Sequence, residues 1–207
     1  FTFHALAARI MRDCGIGFHI ADEDMLLGTA SRWGLDNGEP FVQDMLLRLS
    51  TGRPLEHEQS FLLDALQAEG YYTYEGMIHE AIRLIRSGGF IPSWEHVMVD
   101  EFQDINPLQY EFLRLLTPRV KSLMVIGDPN QAIYGFRGSS PASFEDFLRD
   151  YPHARTVHLK QTYRLHSSVA DGSNAFIGRV AVESSRAGGP ITVVRTPSGA
   201  EFMAREI

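Results

Sequence analysis

The stretch Val97-Met-Val-Asp-Glu-Phe-Gln-Asp104 joins a short apolar run to a group of acids. Its first three residues are typical of a strand buried on both faces of a parallel sheet. Asp100 and Glu101 would then lie at the carboxyl end of that strand, where ligands bind in open α/β sheets. Two adjacent carboxylates there would suit a hydrated magnesium ion and an activated water. An exposed acidic turn gives the same pattern, and it is the better interpretation of an isolated Asp-Glu pair.

A second stretch repeats this pattern. Ser122-Leu-Met-Val-Ile-Gly-Asp128 again places an acid after an apolar strand, and the chain continues as Pro129-Asn-Gln-Ala-Ile-Tyr-Gly-Phe-Arg-Gly138. A helix is predicted between the two strands, with Asn106 as its N-cap and Pro107 at its first position. Strand, helix and strand form a βαβ unit, with a polar group at the end of each strand.

Five short blocks of the sequence stand in a distinctive order. They are Phe1-Thr-Phe-His4, Asp100-Glu-Phe-Gln-Asp104, Gly127-Asp-Pro-Asn-Gln131, Ile133-Tyr-Gly-Phe-Arg-Gly138 and Gln161-Thr-Tyr-Arg164. These blocks resemble successive motifs of the UvrD/Rep/PcrA-type superfamily 1 DNA helicases. One block alone would be a weak signal, whereas five in the family's order are a strong one. The resemblance spans most of the chain and is poorest over residues 15–72.

The resemblance implies the fold. We expect an α/β protein that contains part of a RecA-like P-loop NTPase domain, a parallel sheet with flanking helices, into which a helical subdomain is inserted. Residues 1–14 and 73–180 would belong to the first RecA-like domain, and residues 15–72 to the inserted subdomain. Residues 181–207 would form a linker and the start of a second RecA-like domain.

Apolar periodicity predicts most of the remaining elements. Helices are predicted over residues 2–14, over most of 23–69 with breaks at 34–40 and 51–54, over 74–86, from Ser140 and Pro141 onward, and over 167–177. Phe61 and Leu62 are expected to face the core, as are Phe144, Phe147 and Leu148. Strands are predicted over residues 156–159 and 191–194, and a linker over residues 179–189.

The resemblance also implies an ATP site. Asp100 would hold Mg²⁺, through water, and Glu101 would be the general base for the water that attacks the γ-phosphate. Gln131 could hydrogen-bond both the γ-phosphate and that water without a charge to titrate. Arg164 would stabilise the charge on the transferred phosphoryl group. For Arg164, a structural salt bridge is the alternative interpretation.

A path for single-stranded DNA is implied by five further side chains. Thr2 and His4 would contact the DNA backbone, although an N-cap Thr and a His at a helix start explain them equally well. Tyr134 and Phe136, next to Arg137, suit stacking on unpaired bases and a phosphate contact. Core packing is the alternative for both aromatic residues. Relatives often carry Trp at the Phe136 position, so stacking would be weaker here.

Composition sets the limits of these predictions. The chain has 207 residues, of which 44% are hydrophobic, and a formal net charge of -7, which argues mildly against nucleic-acid binding. The charge is uneven, because residues 1–95 carry 14 acids and 7 bases while residues 96–207 carry 12 of each. The single cysteine, Cys14, fits a reducing compartment. We expect a cytoplasmic protein without a membrane span.

A phosphate-binding loop ending in Gly-Lys-Ser/Thr is absent from the sequence. The only lysines are Lys121 and Lys160, and neither follows a glycine. In the family this loop precedes the first of the five blocks. We therefore expect the chain to be a fragment that does not hydrolyse ATP by itself.

These features together predict part of an ATP-dependent DNA helicase. Such an enzyme would couple ATP hydrolysis to translocation on single-stranded DNA and to unwinding at single/double-strand junctions, in DNA repair or recombination. One alternative is the helicase part of a RecB/AddA-type helicase–nuclease, which a nuclease domain in the parent protein would reveal. Another is a non-catalytic DNA-binding module that has lost the phosphate loop. The intact residues Asp100, Glu101, Gln131 and Arg164 argue against such decay.

Overall fold

The computed structural model describes residues 1–35, 38–132 and 143–191. The chain forms two compact units, Phe1–His153 and Ala154–Ile207, which are described separately. Over the described residues the protein is of the α/β class, with three two-stranded parallel sheets among its helices. The division into a RecA-like part and an inserted subdomain remains a prediction.

The first unit contains seven helices and four strands within its described residues. The helices are α1 (Phe3–Asp13), α2 (Glu23–Arg32), α3 (Gly38–Thr51), α4 (His57–Ala68), α5 (Tyr74–Arg86), α6 (Pro107–Leu116) and α7 (Ser143–Asp150). The strands are β1 (His19–Ile20), β2 (Tyr71–Tyr72), β3 (His96–Val99) and β4 (Ser122–Val125). The predicted helices over residues 2–14 and 74–86 are confirmed. The second unit contains β5 (Gln161–Thr162), α8 (Ser167–Ile177) and β6 (Glu183–Ser184).

Helices α2, α3 and α4 enclose a hydrophobic core of their own, which includes Leu26, Met45 and Leu62. Strands β1 and β2 pair in parallel at the two ends of this segment, so the chain enters and leaves it side by side. Two predictions fail here. Helix α3 begins at Gly38 instead of after Pro40, because proline is tolerated in the first turn of a helix. Phe61 is 56% exposed, and its ring lies against Trp33 instead of in the core.

A second core joins α1, α5 and α6. It includes Ile10, Met77, Ile78 and Phe112, which are all fully or almost fully buried. The helix ends follow local rules. Thr73 caps α5, and Asn106 forms a capping box with Gln109 at the start of α6, as its sequence predicts.

Strands β3 and β4 pair in parallel, with Val97 opposite Leu123 and Val99 opposite Val125. The predicted βαβ unit, β3–α6–β4, is confirmed. The expectation of a strand buried on both faces is wrong. Met98 is 72% exposed, because within the described chain the apolar side chains of the α6–α7 region pack against only one face of the pair.

Helix α7 buries less of its surface than predicted. Phe147 packs in the core beside Phe102, and Phe144 contacts the same ring, but Leu148 is 45% exposed. Leu148 is adjacent to Phe147, so it lies on a different side of the helix. The predicted helix start at Ser140 and Pro141 lies outside the described residues. None of the described helices is both long enough and apolar enough to cross a membrane.

The second unit differs from its prediction in two places. Residues 156–159 do not form the predicted strand, and Val157 and Leu159 are 76% and 86% exposed. The strand in this region is instead β5, which begins at Gln161 and pairs in parallel with β6. Strand β6 lies inside residues 179–189, the stretch predicted as a linker. A strand needs a partner for its backbone groups, and here β6 provides one for residues 161–162. Helix α8 is confirmed, whereas the predicted strand over residues 191–194 extends beyond the described residues.

Candidate functional site

The ends of β3 and β4 lie side by side in the first unit. Beyond their last paired residues, the backbone N–H of Ile126 donates to the carbonyl of Val99 at 2.8 Å. The N–H of Phe102 then donates to the carbonyl of Ile126 at 2.9 Å, so the chain after β3 turns back over β4. Phe102 is fully buried and anchors this turn in the core. The polar residues that follow both strands are thereby brought together.

Glu101 occupies an unusual backbone conformation at this turn. Its φ angle is +51°, and it is the only non-glycine residue with positive φ in the described part of the chain. Its N–H donates to Oδ1 of the preceding Asp100 at 3.0 Å. The left-handed conformation costs an L-residue roughly 1–2 kcal/mol. Both carboxylates are exposed to solvent at the end of β3, as predicted.

Gln103 connects the two strand ends. Its side chain is almost completely buried, with 2% of the residue exposed. Nε2 donates to Oε2 of Glu101 at 2.6 Å, and Oε1 accepts from the backbone N–H of Asp128 at 3.1 Å. The amide orientation is dictated by its partners, because a carboxylate only accepts and a backbone N–H only donates.

Asp128 organises the turn that follows β4. Its Oδ1 accepts from the backbone N–H of Asn130 at 2.9 Å and from the Asn130 side chain at 3.0 Å. Its Oδ2 accepts from Nε2 of Gln131 at 2.9 Å. A continuous set of hydrogen bonds therefore runs from Glu101 through Gln103 and Asp128 to Gln131. Of the predicted ATP-site residues, the structure brings together Asp100, Glu101 and Gln131.

The carboxylate oxygens at this site suit a magnesium ion that is bound mainly through water and substrate phosphates. Among the described residues, no group of three or more His, Cys, Asp or Glu side chains is placed to hold a metal ion. A metal site built from three such side chains is therefore not present in that part of the chain. Mg²⁺ is commonly held by one or two carboxylates together with water and substrate phosphates. The exposed carboxylate of Asp100 fits that mode of binding.

Thr2 and His4 lie at the start of α1. Oγ1 of Thr2 accepts from the backbone N–H of Ala5 at 3.1 Å, so Thr2 is the N-cap of the helix. His4 is partly buried edge-on against the ring of Tyr74, with the ring centroids 5.3 Å apart. Burial lowers the pKa of His4, which favours the neutral imidazole. The capping alternative is therefore observed for Thr2, and a DNA contact by either residue remains a prediction.

Among the remaining predicted site residues, Arg164 is the one that the structure describes. Tyr134, Phe136 and Arg137 lie outside the described residues. Arg164 belongs to the second unit, where its side chain is exposed and forms no ion pair with another described residue. Its carbonyl, like that of Tyr163, accepts from Nη1 of Arg186, so the backbone at Arg164 is held in place.

Three residues of the site were missed by the prediction of functional residues. They are Gln103, Gly127 and Asp128. Gln103 lies between Glu101 and Asp104, just after a strand. This position is the one signal in the sequence that its amide donates a hydrogen bond to a neighbouring carboxylate. A Cβ atom at Gly127 would collide with Oε1 of Gln103, so the close approach requires glycine.

Comparison with known proteins identifies a helicase domain within the chain. Residues 56–152 match the family model of the UvrD/REP helicase N-terminal domain, a range that contains β3, β4 and both polar turns. Residues 56–152 therefore carry a UvrD/REP helicase N-terminal domain. The predicted resemblance to these helicases is thereby confirmed, and the matched range contains three of the five sequence blocks.

Several curated UvrD/REP relatives align with the chain. It is 30% identical to ATP-dependent DNA helicase PcrA of Leuconostoc citreum in an alignment 210 residues long, which covers 85% of this chain. It is 43% identical to DNA helicase II of Escherichia coli over 82 residues, or 40% of the chain. It is 35% identical to ATP-dependent DNA helicase UvrD1 of Mycobacterium tuberculosis in an alignment 126 residues long, which covers 55% of the chain. The matches span 28%, 11% and 16% of these three relatives.

Proposed function

We propose that the protein containing this chain is an ATP-dependent DNA helicase, and that residues 1–14 and 73–180 belong to its first RecA-like domain. The single observation that carries the proposal is the hydrogen-bonded connection between Glu101 and Gln131 across the ends of two parallel strands. Carboxylates and an amide at that place in an α/β sheet suit a nucleotide and an activated water. The names of the relatives, which include ATP-dependent DNA helicases, support the same activity.

Glu101 is proposed as the general base. Gln103 occupies Oε2 of its carboxylate, which leaves Oε1 to accept the proton of the attacking water. Gln131 would orient that water and contact the γ-phosphate through its amide. The exposed guanidinium of Arg164 would neutralise charge on the phosphoryl group.

Asp100 is proposed to hold Mg²⁺ with water and the ATP phosphates. When bound, the ion would neutralise charge on the β- and γ-phosphate oxygens. Oδ1 of Asp100 accepts a hydrogen bond from the N–H of Glu101, so Oδ2 would be the oxygen that holds the ion through water.

Single-stranded DNA is the proposed second substrate. Tyr134 and Phe136 would stack on bases, while Arg137, Thr2 and His4 would contact the backbone. Repeated opening and closing around ATP would move the enzyme along the strand and unwind DNA at single/double-strand junctions. This activity would take place in the cytoplasm and serve DNA repair or recombination. Residues 15–72 are proposed as an inserted helical subdomain, and residues 181–207 as the passage to a second RecA-like domain.

The deciding experiment measures ATP hydrolysis by the complete protein, with and without single-stranded DNA, for wild type and Glu101→Gln. We expect strong stimulation by DNA in the wild type and its loss in the variant, because the amide cannot accept a proton. Glu58→Gln, on the exposed surface of α4, is the matched control and should retain full stimulation. DNA binding without ATP hydrolysis by the wild type would instead establish a non-catalytic DNA-binding module.

A further inference from the structure

We infer that Gln103 is a positioning residue for ATP hydrolysis, which holds the Glu101 carboxylate at a set place relative to the turn that carries Gln131. This inference rests on the proposed function and assigns a role to a residue that touches neither nucleotide nor metal. Gln103 is 2% exposed, so its amide acts through its two protein partners.

The geometry leaves the Gln103 amide little freedom. It spans from the Glu101 carboxylate to the backbone N–H of Asp128, residues that follow different strands. The backbone of Gly127 passes so close that a Cβ there would collide with Oε1 of Gln103. A side chain held by two hydrogen bonds and by packing keeps one rotamer, and its partner carboxylate is held with it.

The conformation of Glu101 explains why its carboxylate needs a hydrogen bond to hold it. Its backbone is left-handed and its side chain is exposed, so packing alone does not select the orientation of the carboxylate. The 2.6 Å hydrogen bond from Gln103 selects it. Because Asp128 binds both Gln103 and Gln131, the base and the proposed phosphate-sensing amide share one support.

Two substitutions in the complete protein separate this role from simple packing. Gln103→Met preserves the shape of the side chain and removes both hydrogen bonds. Gln103→Glu retains an acceptor for the Asp128 N–H but removes the donor to Glu101. We expect both to lower kcat for ATP hydrolysis by about 10- to 100-fold, with KM for ATP changed less than about 3-fold, because misplacing a catalytic group affects the reaction more than binding.

A matched control exists at Gln59 in α4. This glutamine is 1% exposed, donates from Nε2 to Oδ2 of Asp44 at 2.9 Å, and accepts from the N–H of Glu56 at 3.0 Å. Gln59→Met therefore removes the same two kinds of hydrogen bond at a buried site in another hydrophobic core. It should lower the thermal unfolding midpoint as Gln103→Met does, and leave kcat within about 2-fold of wild type.

The outcomes distinguish the positioning role of Gln103 from the proposed ATPase activity on which it rests. Loss of kcat in both Gln103 variants, with KM nearly unchanged and Gln59→Met active, supports the positioning role. Wild-type kcat in Gln103→Met or in Gln103→Glu, or an equal loss in Gln59→Met, would overturn it while leaving the proposed ATPase intact. A wild-type protein without ATP hydrolysis would overturn the proposed function and, with it, this role.

Discussion

The backbone of Gly127 lies directly against the side-chain amide of Gln103. A Cβ atom at position 127 would collide with Oε1 of Gln103, and it would approach the backbone nitrogen of Phe102 and Cζ of Phe144 to 3.0 Å. Phe102 is fully buried, and backbone at such a site cannot move aside readily. The glycine between β4 and Asp128 is therefore a steric requirement of the candidate site.

Gly127→Ala should accordingly destabilise the protein and impair ATP hydrolysis. Overpacking of this kind costs about 1–3 kcal/mol, and each kcal/mol lowers the unfolding midpoint of a chain this size by roughly 2–4 °C. Gly28→Ala is the control, because Gly28 is exposed in α2 and a Cβ there meets nothing within 4 Å. Calorimetry should show no decrease for Gly28→Ala; equal midpoints for both variants would contradict the steric account.

The left-handed backbone of Glu101 predicts an inverted order of stability for glycine and alanine. Glu101→Gly should be more stable than Glu101→Ala by about 1 kcal/mol, because only glycine adopts positive φ without strain. Both variants lose the carboxylate, so their difference isolates the backbone. At Asp64, exposed within α4, the order should be reversed, with alanine more stable by about 1 kcal/mol. Urea unfolding of the four variants measures both differences, and the same order at both positions would refute the assignment.

The surroundings of His79 predict that the free energy of unfolding depends on pH. It is partly buried, and its Nε2 lies 3.2 Å from the carbonyl of Leu49, which requires the proton on Nε2. Burial lowers the pKa of His79 from 6.5, outweighing the opposite effects of the Leu49 carbonyl and of Glu111. As pH falls below about 6.5, the unfolded chain takes up a proton that folded His79 resists, so the free energy of unfolding decreases.

The measurement is a comparison of unfolding free energies between about pH 5 and 7 for wild type and His79→Gln. The wild-type curve should fall more steeply toward acid pH than that of the variant. Taking the difference between the curves removes the contributions of other partly buried groups whose pKa is shifted, such as His4 and Glu75. His57→Gln, at the exposed first residue of α4, should follow the wild type. Parallel curves for wild type and His79→Gln would exclude His79 as the source.

Arg186 should influence catalysis through Arg164. Its Nη1 donates to the carbonyls of Tyr163 and Arg164 at 3.1 and 3.0 Å. Removing it in Arg186→Ala should lower kcat of the complete protein about 10-fold, since the backbone that carries Arg164 loses its support. In an Arg164→Ala background the same change should add little, because residues that act as one unit are not additive. A full additional 10-fold loss there would show that Arg186 acts independently.

The aromatic and basic residues near position 136 predict two different effects on DNA binding. Phe136→Ala should weaken binding of single-stranded DNA by about 1–3 kcal/mol, and Phe136→Trp should strengthen it, because stacking follows ring area. Arg137→Ala should instead reduce the salt dependence of binding, since it removes one phosphate contact. Fluorescence titrations at several salt concentrations distinguish the two. An unchanged affinity in Phe136→Ala would assign that ring to packing.

Elements with local signals were predictable from the sequence. The capping residues Asn106 and Thr2 and the helix Tyr74–Arg86 lie where the pattern places them, because caps and helical periodicity involve residues within one or two turns. The strand predicted over residues 156–159 was wrong for the opposite reason. Whether a segment becomes a strand depends on a pairing partner that is distant in the sequence. Here β6 pairs with residues 161–162, and β6 itself lies in a stretch whose composition resembles a linker.

The sequence by itself determined the chemical content of the candidate site: acids soon after two apolar strands, an amide at Gln131, and blocks that resemble helicase motifs. Only the tertiary structure decided that Gln103 joins them. Its bond to the N–H of Asp128 connects residues 25 positions apart and depends on the register of β3 with β4. A slip of one residue in that register would place the opposite face of the strand inward. Composition and spacing do not encode such a contact, because it exists only after the two strands have paired.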